Sequence, residues 1–378
     1  LINTARHLTA FCVLLVLLAA SCASGTERAS ASSDKDAVLT FAFFGCNRID
    51  HKDWLKTRSS NPSSANVPQL RRNLYDISRL NPNLVFVGGD MVMGYEDDNG
   101  ATLKRQLEAW SALVRQIPLP KGCELTAVAG NHELNRKVGD RKLPLPAADA
   151  LWTDWVKANH LIPPDAAGPG SPFTKLDLLA TDQSVLNFTF RRGAVQFVIL
   201  NTDTRVTEID HNTGETRIAE IPVWWLTSQL DLAEQDPTVK CVVVMGHRNL
   251  VDPQTIHGDS PVRPASAEKA VRALLAHSKV RAYICAHVHG FEISRIGSTE
   301  LRQVIFGNGG SPLEPDWKPA EGRTFGFGFF KVYADGSLGV VPYLRPEPKN
   351  YLEDSPAAVL PAKPQRELIL RPRSASTE

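Results

Sequence analysis

Six polar side chains of metal-binding type stand at the ends of apolar runs in this sequence: Asp90, Asn131, His132, His247, His287 and His289. Residues 125–129 stop at Gly130 and hand over to Asn131, His132 and Glu133; residues 84–87 stop at Gly88, Gly89 and Asp90. Residues 241–245 stop at Gly246 and His247, and residues 283–286 lead straight into His287-Val-His289. Carboxylate and carboxamide oxygens are hard donors and imidazole nitrogens borderline ones, a mixture suited to metal ions that polarise a phosphoryl oxygen and generate hydroxide near neutral pH. Singly, each has a plain structural explanation. An Asp after two glycines is a common turn residue, and one His at a strand end is commonly a hydrogen-bonder. His287 and His289 are stronger, because alternation along an extended segment puts both on one side. The recurrence of all of them at equivalent places is what points to chemistry.

Short apolar runs closed by glycine read as buried strands. If those strands are parallel neighbours, all six side chains land beyond one sheet edge, where open α/β sheets bind ligands. Residues 38–45 read as a further such strand, ending at Cys46, Asn47 and Arg48. Residues 59–65 read as a loop. Between the strands, a helix opens at Pro68, shows Leu70, Leu74, Ile77 and Leu80 on one face, and stops at Asn81-Pro82. A second helix lies near residues 103–117. After Glu133 comes a polar insertion with Arg136, Lys137, Arg141 and Lys142, then a Trp-rich helix near 151–158 and an irregular Pro/Gly loop at 163–172. Strands follow near 185–190 and 195–200, the second closing on Asn201, Thr202 and Asp203. Trp224 and Trp225 read as core residues of a helix over 223–234, and Ser266 reads as the cap of a helix running to His277. Four closing strands read as an antiparallel finish, with Asp335-Gly336 as a hairpin turn.

The chain has 378 residues, 43% hydrophobic and 22% charged, which is ordinary globular composition and enough for a core without a disulfide scaffold. With 42 Lys and Arg against 41 Asp and Glu the net charge is +1, so no electrostatic footprint for nucleic acid is visible and a small partner is expected. Arg6 and His7 precede an apolar run over residues 8–20, shorter than the ~20 residues of a spanning helix, and it reads as an export signal. The stretch ending at Ser21-Cys22 resembles a bacterial lipoprotein signal, although Ala19 stands where that pattern usually has Leu. Lipidation of Cys22 and simple release into the periplasm are the two outcomes. Residues 1–21 are thus read as a leader, 22–37 as a tether, 38–345 as the functional domain, and 346–378 as a Pro-rich, charged, loosely ordered tail. Cys241 and Cys285 sit inside core strands and read as thiols acting as small apolar groups.

The series Cys46-Asn-Arg48, Gly89-Asp90, Gly130-Asn-His-Glu133, Gly246-His247 and Ala286-His-Val-His289 resembles the calcineurin-like metallophosphoesterase superfamily, which includes purple acid phosphatases and phosphodiesterases. That family's motif order is Asp-x-His, Gly-Asp, Gly-Asn-His-Asp/Glu, a single His, then Gly-His-x-His. The resemblance implies that Asp90 bridges two metal ions, that Asn131, His247 and His287 complete one of them, and that His289 serves the other. It implies that His132 stands near the scissile ester and acts on the leaving oxygen, and that Glu133 orients His132. Arg48, Asn131, His132 and Arg248 are the candidate substrate contacts, with Arg205 and the basic cluster at 136–142 as further candidates, since planar donors suit oxyanions.

The first motif departs from the family. A guanidinium does not deprotonate to become a ligand, so Arg48 cannot replace the motif's His. Three readings stay open. Cys46 as thiolate replaces the carboxylate, favouring iron or zinc, as in PhoD-type alkaline phosphatases, although their tyrosine three residues after the aspartate is here Met93, with Tyr95 two further on. Alternatively the centre is mononuclear, with Arg48 offering charge to a phosphate. In the third reading the chain is a degenerate, non-catalytic relative.

The resemblance implies a four-layer αββα sandwich of two mixed sheets. It implies metal-dependent hydrolysis of a phosphate mono- or diester by metal-bound hydroxide, with two ions of iron, zinc or manganese. The rival class is a binding protein on the cell surface that keeps the fold but not turnover.

Overall fold

The computed structural model describes residues 37–50, 67–212, 214, 216–253, 261–314, 323–347 and 359–370. The leader, the tether up to residue 36, Cys22 and the loop at 59–65 lie outside them.

β1 (Ala37–Phe44) alternates: Phe41 and Phe43 point to one side of their sheet, Ala42 and Phe44 to the other. α1 (Val67–Leu80) turns Leu70, Leu74 and Ile77 inward. β2 (Leu84–Val87) is buried throughout, α2 (Ala101–Val114) follows, and β3 (Glu124–Ala127) completes a parallel trio with β1 and β2. Parallel strands end together. Cys46, Asp90 and Asn131 therefore follow three neighbouring strands at one edge.

A single helical turn, α3 (Asn131–Leu134), comes next. Where the sequence reads as a polar insertion, β4 (Asn135–Val138) and β5 (Arg141–Pro144) form a hairpin, turned by Gly139 at φ +60°. α4 (Ala148–Ala158) buries Trp152 and Trp155, the latter edge-on to Trp110 of α2. α5 (Phe173–Leu176) is one turn long, and Asp177 after it accepts hydrogen bonds from the backbone N–H groups of Trp224 (2.8 Å) and Trp225 (2.9 Å).

β6 (Phe188–Arg192), β7 (Val195–Leu200), α6 (Val223–Gln235), β8 (Cys241–Gly246), α7 (Pro264–Ala276), β9 (Val280–Cys285), β10 (Phe291–Arg295) and β11 (Arg302–Phe306) build the second half. Their sheet runs β10-β11-β9-β8-β7-β6, and within it β7, β8, β9 and β11 are parallel. β12 (Thr324–Tyr333) and β13 (Leu338–Pro346) return to the first sheet, β12 lying antiparallel beside β1. β14 (Lys363–Pro364) and β15 (Leu368–Leu370) both pair with β13.

The inward faces meet in an aromatic layer: Phe41 stacks on Phe330 at 4.6 Å and meets Phe197 of the facing sheet edge-on at 5.4 Å. Outside, α1, α2 and α4 cover the first sheet and α6 and α7 the second. This is the four-layer sandwich of two mixed sheets. Each fully buried Phe here is worth roughly 1.5–3 kcal/mol of transfer free energy.

Four local expectations change. The finish is not wholly antiparallel, because β11 enters parallel to β9 and only then does the chain cross to the other sheet. Ser266 is not a cap: α7 begins two residues earlier at Pro264, whose fixed φ suits the first helical position, and the Ser266 hydroxyl accepts from Ile221 N–H instead. Trp225 is buried but Trp224 is 62% exposed, since successive helical residues cannot share a face. The segment read as a loose tail contributes two strands. Cys241 and Cys285 are buried thiols in apolar clusters, as read.

Candidate metal centre

Asp90 is held in place by its neighbours before it touches any donor. Gly89 takes φ +87°, and a Cβ there would lie 2.6 Å from His247 Nδ1; one on Gly130 would lie 2.5 Å from Asp90 N and Oδ1. Glycine is what lets these two turns and the imidazole crowd together. The loop after β1 then runs along the loop after β2: Cys46 N–H donates to Gly89 O (2.9 Å), and the N–H groups of Asn47 and Arg48 both donate to Asp90 O (2.8 Å). Cys46, Asp90 and His287 all have left-handed backbone, at φ +61°, +53° and +58°. Such positions cost of order 1–3 kcal/mol each and gather at functional sites.

Two groups of donors result, and Asp90 belongs to both. In one, ligand atoms of Asp90, His247 and His287 lie within 4.8 Å of one another; in the other, those of Cys46, Asp90 and His289 do. His247 Nδ1 lies 2.7 Å from Gly88 O, so it carries the proton, and Nε2 points inward. Around Nε2 stand Asp90 Oδ1, Asn131 Oδ1 and His287 Nδ1, each at 3.1 Å. His289 Nδ1 donates to Pro312 O at 2.8 Å, leaving its Nε2 lone pair buried without a hydrogen-bond partner. A buried, bare imidazole nitrogen beside a carboxylate and a thiol is what a metal ion satisfies.

The electrostatics agree. Burial would push the Asp90 carboxyl up, but His132, His247 and Arg48 outweigh it and hold it well below the usual range. Burial works against a charged His247, yet Asp90 and Gly88 O raise its pKa. Positive charge is thus favoured where Asp90 Oδ1, Asn131 Oδ1 and His247 Nε2 meet, whether a proton or a metal ion carries it. His287 and His289 are pushed down by burial and then by Arg248 and Arg48 respectively, which favours the neutral imidazole a metal ion would need.

A family model described as calcineurin-like phosphoesterase matches residues 51–291. The chain belongs to the calcineurin-like phosphoesterase family. Solved structures with the same fold include a purple acid phosphatase from yellow lupin (Lupinus luteus) seeds, with TM-score 0.51 and 15% identity over 82% of this chain and 51% of that one. A dimetal phosphatase from Danio rerio gives TM-score 0.50 and 14% identity over 82% and 97%. PhoD gives TM-score 0.50 and 13% identity over 81% and 66%. The chain spans about half the length of the lupin enzyme. No curated protein sequence matches.

The family match begins just after Cys46 and Arg48, so their placement rests on the structure. Arg48 Nη2 lies 3.2 Å from Asp90 Oδ2, and Arg48 Nε is a buried donor without a partner. His132 N–H donates to Asp90 Oδ1 (3.1 Å), its Nδ1 faces Met93 O, and its Nε2 lies 3.7 Å from Asp90 Oδ2. Burial and Arg48 push the His132 imidazole down to about 3.

Glu133, expected to orient His132, and Arg248, a candidate phosphate contact, both make bracing contacts. The Glu133 carboxylate accepts four backbone N–H groups, from Asp90 (3.0 Å), Met91 (2.8 Å), Val92 (3.2 Å) and Gly130 (2.8 Å). It ties two loops together, and His132 takes its orientation from Met93 O. Arg248 is buried and grips Asp203 through Nε (2.8 Å) and Nη2 (2.9 Å), with Nη1 3.3 Å from His287 Nε2. Two of its fork nitrogens are thereby engaged by the Asp203 carboxylate. Arg205 pairs with Asp149 at 2.6 Å and Arg136 with Asp97 at 2.7 Å.

Sequence reasoning missed the loop after β11. Gly307, Asn308 and Gly309 close an apolar run just as the other motifs do, and that ending was the available signal. Here Gly309 N–H donates to Gly45 O and Ser311 N–H to Cys46 O, supporting Cys46 from behind. Among the described residues no helix is long and apolar enough to cross a membrane.

Proposed function

We propose that the protein hydrolyses phosphate esters with two metal ions that share Asp90. The observation that carries this reading is Asp90 standing in both donor groups. Asp90, Asn131, His247 and His287 would hold one ion, and Cys46, Asp90 and His289 the other, which is the poorer in donors. Iron, zinc or manganese suits a set of thiolate, imidazole and oxygen donors. Ions there would polarise a phosphoryl oxygen and acidify water.

The chain's own residues do the rest. The unpaired Arg48 Nε–H is a donor for a phosphoryl oxygen at the place where negative charge grows. His132, with its Nδ1 proton committed to Met93 O, presents the Nε2 lone pair, which would take a proton from the attacking water and hand it on to the leaving oxygen. The donor-poor second group and the Arg48–Asp90 contact also favour one specific variant, a single-ion centre in which the guanidinium stands in for the other cation.

Metal content and p-nitrophenyl phosphate hydrolysis of the purified protein test the proposal. Two equivalents of metal are expected, one of them lost in Cys46→Ser, with turnover reduced about 10²–10⁴-fold in His132→Ala. One equivalent with turnover selects the single-ion variant. No turnover across a broad panel of esters sinks the enzyme reading in favour of the binding protein. An exported location, with Cys22 lipidated or the chain released, is supported by the leader-like residues 1–21, and the mass of the mature N-terminal peptide tests it.

A further inference from the structure

We infer that Tyr95 is a positioning residue of the metal centre, fixing the Asn131 carboxamide through its hydroxyl and the His132 imidazole through its ring. The inference rests on the proposed function for its chemical meaning, but the contacts stand by themselves.

A carboxamide has a donor end and an acceptor end, and a half-turn exchanges them. Asn131 Nδ2 donates to the Tyr95 hydroxyl, and Asn131 Oδ1 is thereby turned toward His247 Nε2 at 3.1 Å. With that anchor gone, the amide could present its NH₂ group to the donor cluster, where it would repel a cation. The same phenol covers His132, with ring centroids 4.0 Å apart and planes tilted by 42°. Met93, two residues earlier, holds the Nδ1 edge of that imidazole. One short segment therefore sets both the face and the edge of His132 and the sense of Asn131.

The backbone is bent to bring the phenol there. Tyr95 takes φ +67°, uncommon for an aromatic residue, directly after Gly94 at φ +53°. A Cβ on Gly94 would lie 1.6 Å from His132 O. Two hydrogen bonds hold the bend, Gly94 N–H to Gln106 Oε1 (2.8 Å) and Lys137 N–H to Tyr95 O (2.9 Å). Packing alone would explain the ring but not the hydroxyl on Asn131.

Tyr95→Phe separates the two, because it keeps the ring and removes the anchor. The side-chain amide protons of Asn131, followed by NMR in apoprotein, are expected to shift in Tyr95→Phe. The ion held by Asn131 is expected to bind about 10–100-fold more weakly, the usual cost of losing an outer-shell partner, with the thermal midpoint near that of the parent. In an Asn131→Asp background the same change is expected to cost little further affinity, since a carboxylate has no donor end to anchor. Unchanged Asn131 amide protons, or both ions bound with parental affinity, would overturn the inference. So would a phenolate-to-iron(III) colour that Tyr95→Phe abolishes, which would make Tyr95 a ligand. If the parent protein takes up no metal, the proposed function falls, and the amide shift alone decides the Tyr95–Asn131 contact.

Discussion

Arg48 and Asp90 meet through Nη2 and Oδ2 at 3.2 Å, while the other Asp90 oxygen lies 3.1 Å from His247 Nε2. One carboxylate thus joins a fixed cation to the donor cluster. Arg48→Ala should raise KM for a phosphate ester by about 10–100-fold, matching the roughly 1.5–3 kcal/mol of a hydrogen bond to a charged group. Metal content should not fall, because a guanidinium repels a neighbouring ion. Steady-state kinetics beside metal analysis check this, and a normal KM with lost metal would show that Arg48 only supports the fold.

Glu133 offers acceptor oxygens to four buried backbone donors. In Glu133→Gln one of those oxygens becomes an NH₂ group facing N–H groups, which should cost about 2–3 kcal/mol. Urea unfolding reads the loss. A variant with parental stability but no activity would instead return Glu133 to the chemistry.

The Asp203–Arg248 pair is buried, so breaking it should hurt more than removing it. Asp203→Ala leaves an uncompensated guanidinium and should cost about 3–5 kcal/mol, whereas adding Arg248→Met should recover much of that. The double-mutant cycle in urea tests the coupling; additive losses would argue against it.

Stability at low pH has a local contributor far from the metal centre. Burial would push the Glu234 carboxyl up, but the Ser278 hydroxyl and Lys279 N–H that it accepts outweigh burial and lower its pKa. A carboxyl lowered on folding stabilises fully above its unfolded value of about 4.3, and that contribution is lost as pH falls through the folded value. The gap in urea midpoint between parent and Glu234→Gln should therefore be widest at neutral pH and close on acidification. A gap that widens in acid would reverse the assignment.

The layered fold was legible because its central strands are short and largely apolar, several of them closed by glycine, and parallel strands bring equal endings to one edge. Asp90, Asn131, His132, His247, His287 and His289 converge for that reason. Glu133 and Arg248 were harder to read. Their residue types fit both catalysis and bracing, and only the four N–H groups around Glu133 and the carboxylate of Asp203 against Arg248 distinguish the two. Tyr95 stood out only as a tyrosine displaced from the PhoD pattern; its contact with Asn131 depends on a left-handed bend, and a motif spacing carries no dihedral angle. The hairpin of β4 and β5 was hidden for a related reason: half of its strand residues are charged, and its few apolar ones do not alternate along either strand.

β15 lays its three residues along β13 and buries Leu370 between the sheets. This segment is in this way a seal on the fold's flank. A shortened version stopping before Lys363 would uncover a row of unsatisfied peptide groups next to an empty apolar socket, and bare strands of that kind recruit copies of themselves. Shelf life in concentrated solution, more than catalysis, is where trimming these residues would first be felt.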